Sequence, residues 1–348
     1  MTADGRPRVL CIAGTGQSGS TLTARLLGEV PGYRAVGEVG RIWDKGVDED
    51  MDCSCGQSFS SCAFWGEVGT RAFGGWQAVD GAATARLREE LQTAGIHLRH
   101  PMVLPLLQRA NLWPAYHEKV RRYAALMLPV YRALHEMSDG AVLVDSMKIP
   151  AHLYLMTHHM PELDVRMVHQ VRDSRGYAYS NTKWIQKQGG DHRGAFRGRR
   201  PPWKSAVKWM WVNEALDHLQ RIGVPAAVVR YEDVVHDPVP QLQEVAGLFG
   251  EALTADDVGF FQPDGIDFSP GHISSGSRWR MSSGRIPLRE DVAWAAKLQD
   301  RDRRVVTAIT RPLLRRYGYR VDGPLHEPAP PPGGAQRDEA ADRLRSGQ

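Results

Sequence analysis

A chain of 348 residues with 42% apolar and 24% charged residues can bury a large core and has the composition of a folded globular protein, not of a fibrous or disordered one. Its formal net charge of +4 is too mild to suggest a nucleic-acid binder but suits a protein that holds an anionic ligand. No apolar run approaches the length of a bilayer-spanning helix, the opening MTADGRPRVL has no apolar signal stretch, and four cysteines fit a reducing compartment, so a cytoplasmic protein away from membranes is expected.

Residues 9–13 form a short apolar run that ends in a Gly-rich turn, and a helical pattern starts over 22–27. Strand, loop and helix in that order open a parallel α/β sheet. A weaker strand is expected at 33–36, and further apolar runs at 141–144, 165–171 and 226–229 each precede polar residues and a helical pattern. Buried parallel strands read this way, and together they predict a P-loop-like, doubly wound α/β sheet of about five strands. The stretch 44–140 is the least strand-like and is expected to be a mostly helical insertion over the sheet, within a single domain spanning 1–322. Residues 188–202 form a Gly- and Arg-rich loop; from 323 to 348 the chain is Pro-rich and then charged, the composition of a disordered tail.

The first turn reads Gly14-Thr15-Gly16-Gln17-Ser18-Gly19-Ser20-Thr21. Glycines there let the backbone wrap an anion, and the following helix offers free N–H groups and the positive end of its dipole. Ser20 stands where a P-loop carries its lysine. A nucleotide triphosphatase needs that lysine on the β- and γ-phosphates, so this loop is expected to hold a phosphate that is not itself transferred. The plain alternative is a Gly/Ser-rich turn that holds nothing. A second anion contact is expected at Arg172, at the carboxyl end of a strand, with Ser180 eight residues on and about two helical turns away. A guanidinium suits a phosphate; the alternative is a surface Arg paired with Asp173.

Together these segments resemble the family of sulfotransferases that use 3'-phosphoadenosine-5'-phosphosulfate (PAPS), in its bacterial and Golgi-type branch. The family's GxxRSGST segment, which binds the 5'-phosphosulfate, is matched by GTGQSGST, with Gly16, Gln17, Ser18, Gly19, Ser20 and Thr21 as the donor-binding residues. Its 3'-phosphate segment is matched by Arg172 and Ser180. Also similar to that branch, in family order over roughly residues 8–320, are Val36-Gly37-Glu38, Cys53-Ser54-Cys55-Gly56 with Cys62, Val144 to Lys148, Arg230-Tyr231-Glu232-Asp233 and the segment 272–280. The excess of 36 Arg over 8 Lys is the bias of a high-GC bacterial genome.

The resemblance implies transfer of a sulfuryl group from PAPS to a hydroxyl of a small-molecule, carbohydrate or natural-product acceptor, with release of PAP and no metal required. It implies Glu38, just after the second strand, as the general base. His272 is the second candidate for that role, and pairing with Arg41 or helix capping is the alternative for Glu38. The family usually carries Arg or Lys where Gln17 stands; Lys148, Arg41 or Arg25 would supply the missing cation, and Lys148 is favoured because it follows a strand end. In the family a late loop closes over the 3'-phosphate, and Arg278, Arg280 and Arg285 are available for it.

Cys53, Cys55 and Cys62 are read as packing or a local disulfide, with zinc as a further alternative whose fourth ligand would be His97 or His100. Trp203, Trp209 and Trp211 share one helix and are read as core, or in part as an acceptor wall. Two other functions stay open at this point. One is a P-loop small-molecule kinase, with Asp145 as the nearest candidate for holding Mg²⁺. The other is a PAP- or PAPS-binding protein with little transfer activity.

Overall fold

The structure is a computed structural model that describes residues 5–94, 114–183, 185–186, 196–197 and 200–321. Five parallel strands carry it: β1 (Arg8–Gly14), β2 (Tyr33–Gly37), β3 (Val142–Lys148), β4 (Asp164–Val171) and β5 (Ala226–Arg230), in spatial order β2-β3-β1-β4-β5. Each of the expected strands is present, longer by one to three residues. β1 lies between β3 and β4, and the chain passes from one side of it to the other between those strands. In such a sheet the crevice beyond the carboxyl end of the central strand is where ligands bind.

β1 is apolar throughout because both faces of the sheet are covered. Val9, Cys11 and Ala13 join one core with Val36, Leu143 and Met167; Leu10 and Ile12 join the other with Val144, Val168 and Val229. Successive side chains of a strand alternate between faces, so a single run feeds two cores. Full burial of each such aliphatic side chain contributes about 1.5–3 kcal/mol. The second core is closed by α1 (Ser20–Glu29), whose Leu22, Leu26 and Leu27 are buried in it.

The described residues between β2 and β3 are mostly helical, as expected, with α2 (Ala63–Phe73), α3 (Gly81–Ala94) and α4 (Pro114–Glu136). A π-helical turn at Ile42–Asp48 precedes them. Helix α5 (Pro150–His159) follows β3. After β4 come α6 (Ser174–Thr182) and α7 (Pro202–Arg221), and after β5 come α8 (Tyr231–His236) and α9 (Pro238–Gly247). A small antiparallel sheet joins β6 (Phe261–Gln262), β7 (Gly265–Phe268) and β8 (Gly284–Ile286). These strands of two to four residues are too short to leave a period in the sequence.

The chain divides into two compact units: 1–172, 184–198 and 211–290 form the first, and 173–183, 199–210 and 291–348 the second. Within the second, Asp173 caps α6 by accepting from Arg175 N at 2.8 Å, and the Arg175 guanidinium lies over the Trp294 ring. Helices α10 (Ala293–Lys297) and α11 (Asp300–Arg316) complete it, with Val306 packed on Ala178 and Ala206. Trp209 is fully buried, whereas Trp203 is 51% exposed and so is not the core residue expected. Among the described residues no helix is long and apolar enough to cross a membrane. The expected tail, His97, His100 and most of the Arg-rich loop lie outside the described residues.

Candidate active site at the carboxyl edge of the sheet

The turn between β1 and α1 leaves a helix start open. Gly19 occupies the capping position with φ 91°, no side chain caps the helix, and its first turn holds no acidic residue. Such a start presents unpaired N–H groups and positive dipole to an anion. Gly19 is needed twice over: its φ suits glycine, and a Cβ there would strike the Tyr231 ring. Gly14 is needed for close approach, since a Cβ would meet the Gln170 carbonyl on β4. At Gly16, by contrast, nothing lies within 4 Å of where a side chain would begin. Gln17 takes a left-handed φ of 68°, a conformation that costs a non-glycine residue about 1–3 kcal/mol. The hydroxyls of Ser18 and Ser20 are buried without a hydrogen-bond partner among the described residues. A buried polar group left so costs about 1–3 kcal/mol, which an anion accepting from it would recover.

Arg172, directly after β4, is buried and not the surface residue of the alternative reading. Its Nη1 donates to the Gln17 carbonyl at 3.0 Å, and its guanidinium lies over the Tyr231 ring at 4.6 Å. Tyr231 thus backs both Arg172 and Gly19. It is positioned by Arg230 at the end of β5, whose Nε and Nη2 donate to the two carboxylate oxygens of Asp233 at 2.6 and 2.7 Å. Nothing in the local spacing around Tyr231 announces this role in the sequence. Ser180 lies on α6 in the second unit, where it is buried.

On the other side of β1, Lys148 is the last residue of β3 and pairs in register with Ala13. Its φ of 50° is left-handed. Its ammonium donates to Glu38, which follows β2 and sits one strand further out. Arg41 Nη1 lies 3.9 Å from the other carboxylate oxygen, while Arg41 Nη2 donates to Asp44 Oδ2 at 2.8 Å. Burial by itself would raise the Glu38 pKa; Lys148, and Arg41 after it, outweigh burial and hold the carboxyl below its ordinary value. Of the three cations expected near Gln17, then, Lys148 and Arg41 both face Glu38. Arg25 is turned away, donating to the carbonyls of Ser269 and Ser282 at 2.9 and 3.0 Å.

Asp145, three residues before Lys148 on β3, is fully enclosed. It accepts from the Tyr131 hydroxyl at 2.6 Å, Val39 N at 3.3 Å and Met147 N at 2.9 Å. Burial pushes its pKa up to about 7 in spite of those hydrogen bonds. The neighbouring His152 is driven by burial down to about 3, and so supplies no cation. A carboxyl held this way is a structural acid, not a ligand waiting for Mg²⁺.

The late loop reaches the same edge. Ser275 O accepts from Glu38 N at 3.3 Å, and Ser277 N donates to Thr21 Oγ1 at 3.4 Å. Arg280 is buried, with Nη1 donating to the Asp52 carbonyl at 2.8 Å. Arg278 starts the 3-10 turn Arg278–Met281, and its side chain lies outside the described residues. Arg285 is exposed and paired with Asp267 and Asp264. His272 stands with Nδ1 at 3.3 Å from Cys62 Sγ and 3.9 Å from Cys53 Sγ. His97 and His100, the histidines expected there from the sequence, lie outside the described residues.

No protein-family model and no curated protein matches the sequence. Solved structures do. The sulfotransferase STF9 from Mycobacterium avium is 10% identical, with 92% of this chain and 79% of that one covered at a TM-score of 0.47. The sulfotransferase domain from the curacin biosynthetic pathway is 15% identical, covering 87% and 98% at 0.44. That of the Synechococcus PCC 7002 olefin synthase is 19% identical, covering 89% and 98% at 0.41. These neighbours are sulfotransferases; what this chain does is argued from its own side chains.

Proposed function

We propose that this chain is a PAPS-dependent sulfotransferase acting on a hydroxyl of a small-molecule or carbohydrate acceptor. The observation that carries the proposal is a lysine-free phosphate loop with two buried hydroxyls that have no hydrogen-bond partner among the described residues, next to a carboxylate–ammonium pair at the neighbouring strand ends. The residues fit the donor's charge. The open start of α1, Ser18 and Ser20 suit the 5'-phosphosulfate end, and Arg172 suits a phosphate beside the same loop. PAPS supplies the sulfuryl group and leaves as PAP.

Glu38 is held ionised by Lys148, so at neutral pH it is ready to accept the acceptor hydroxyl's proton. Once Glu38 takes that proton its hold on Lys148 weakens. The ammonium is then free to donate to oxygen that gains charge as the sulfuryl group departs, the task for which Gln17 has no charge. Proton uptake and charge stabilisation are thereby coupled through a single ion pair.

A phosphotransferase reading is not favoured, because Ser20 replaces the lysine and the Asp145 oxygens are already engaged. Thermal shift separates the two: PAP should raise the melting temperature without added metal, and Mg-ATP should not. Stabilisation by Mg-ATP alone would reverse the assignment. Incubation with labelled PAPS and an extract of the source cells, read by mass spectrometry, should yield a product one sulfuryl group heavier. Binding of PAP with no such product would leave a binding protein in place of an enzyme.

A further inference from the structure

Three cysteines and a histidine from distant parts of the chain converge on one point. Cys55 Sγ lies 3.7 Å from Cys62 Sγ, and His272 Nδ1 lies 3.3 Å from Cys62 Sγ and 3.9 Å from Cys53 Sγ. All four ligand atoms lie within 4.8 Å of one another. A tetrahedral zinc with Zn–S of about 2.3 Å and Zn–N of about 2.0–2.1 Å sets its ligand atoms about 3.5–3.8 Å apart. A disulfide would use two of the thiols and give no reason for the third or for the imidazole.

We propose that Cys53, Cys55, Cys62 and His272, the last through Nδ1, bind one zinc ion in a closed, four-ligand structural site.

The frame around the four residues is already built. Gly56 N donates to the Cys53 carbonyl at 2.9 Å and Cys53 N to the Gln57 carbonyl at 2.8 Å, folding the C-x-C segment into a tight turn. Ser54 ties this turn to both neighbours of His272: its hydroxyl donates to Gly271 O at 2.8 Å and accepts from Ile273 N at 2.7 Å. Trp65 Nε1 donates to the His272 carbonyl at 3.1 Å, and the Phe64 ring stacks on the imidazole at 4.9 Å. Such outer contacts fix a ligand's orientation before the metal arrives. Binding releases one proton from each of the three thiols, and zinc with three thiolates and a neutral imidazole carries a net charge of minus one. Two cations stand close to the cluster's frame: Arg34, over the Phe64 ring at 4.8 Å, and Arg280, bonded to the carbonyl beside Cys53.

With all four positions taken by protein, the ion has no open site for chemistry. It acts as a clamp, joining the 53–62 segment to the loop whose Ser275 and Ser277 touch Glu38 N and Thr21. This inference does not depend on the sulfotransferase reading, and its test needs no acceptor. The tag-free full chain, expressed in zinc-supplemented medium and dialysed, should carry about one zinc per chain by elemental mass spectrometry. Cys55→Ser and His272→Ala should lose it, and Cys11→Ser should keep it, since Cys11 packs in β1 against Met156. Cobalt added to the metal-free wild type should give the visible spectrum of a tetrahedral thiolate site, an arm that needs no folded variant. After chelation, four thiols should titrate in the denatured protein, and the melting temperature of the folded protein should fall. Wild-type protein with no more zinc than Cys55→Ser, no tetrahedral cobalt spectrum, or two thiols missing through a disulfide would each overturn the proposal.

Discussion

Two carboxyls, one within β3 and one just after its neighbour β2, end in opposite states. Asp145 lies inside the sheet, where burial dominates and its partners are neutral, and its pKa rises to about 7. Glu38 lies at the carboxyl edge, where Lys148 and Arg41 outweigh burial and hold it ionised. Burial is large for both; the presence or absence of a cation decides the outcome. The interior carboxyl therefore serves the fold and the edge carboxyl is fit for chemistry. Substitutions should separate along that line, with edge residues changing rate or affinity and the interior residue changing stability.

The largest effect is expected from Glu38→Gln, which keeps shape and removes the proposed base. Transfer should fall by about 10²–10⁴-fold while PAP affinity, measured by calorimetry, stays within about threefold. Transfer at the wild-type rate would erase the contrast between the two carboxyls. Lys148→Met should cost about 10²–10³-fold in transfer. It should also shift the pH profile. With its main cation gone, Glu38 takes up its proton at higher pH, so the acidic limb of the rate profile moves upward. An unmoved limb would mean that the ion pair does not set Glu38's ionisation.

Arg172→Ala should weaken PAP binding by about 2–3 kcal/mol, roughly 30- to 150-fold, if a buried charged contact is lost. Equal affinity in wild type and variant would remove Arg172 from the donor site. Asp145→Asn should leave the transfer rate nearly unchanged and lower stability by about 1–3 kcal/mol, because the amide cannot accept all three hydrogen bonds. The sign of its pH dependence is specific. A carboxyl whose pKa is raised on folding binds more protons in the native state between its unfolded value and about 7. Wild-type stability from this group therefore falls as pH rises through that window, and the cost of Asp145→Asn should shrink from about pH 5 to pH 8. Denaturant melts of both proteins across that range would show a constant gap if the site titrates normally. The smallest effect belongs to Arg41→Ala. Arg41 lies 3.9 Å from Glu38 and its side chain is 36% exposed, so the rate should change by less than about threefold.

The positions of the strands along the chain, the turn between β1 and α1, and the serine in place of a lysine were all legible from residues close together in the chain. Apolar runs and glycine-rich turns are local patterns, and backbone conformation is set largely by near neighbours. Glu38 and Lys148 were legible as candidates, but their pairing was not, because they stand 110 residues apart. The same holds for His272, which reaches the cysteines across 210 residues. Only the tertiary structure decided which cation met which carboxyl, which thiols lay side by side, and that Trp203 faced outward. Burial and partnership are sums over everything packed nearby, and in a crossed α/β sheet most of that comes from distant parts of the chain.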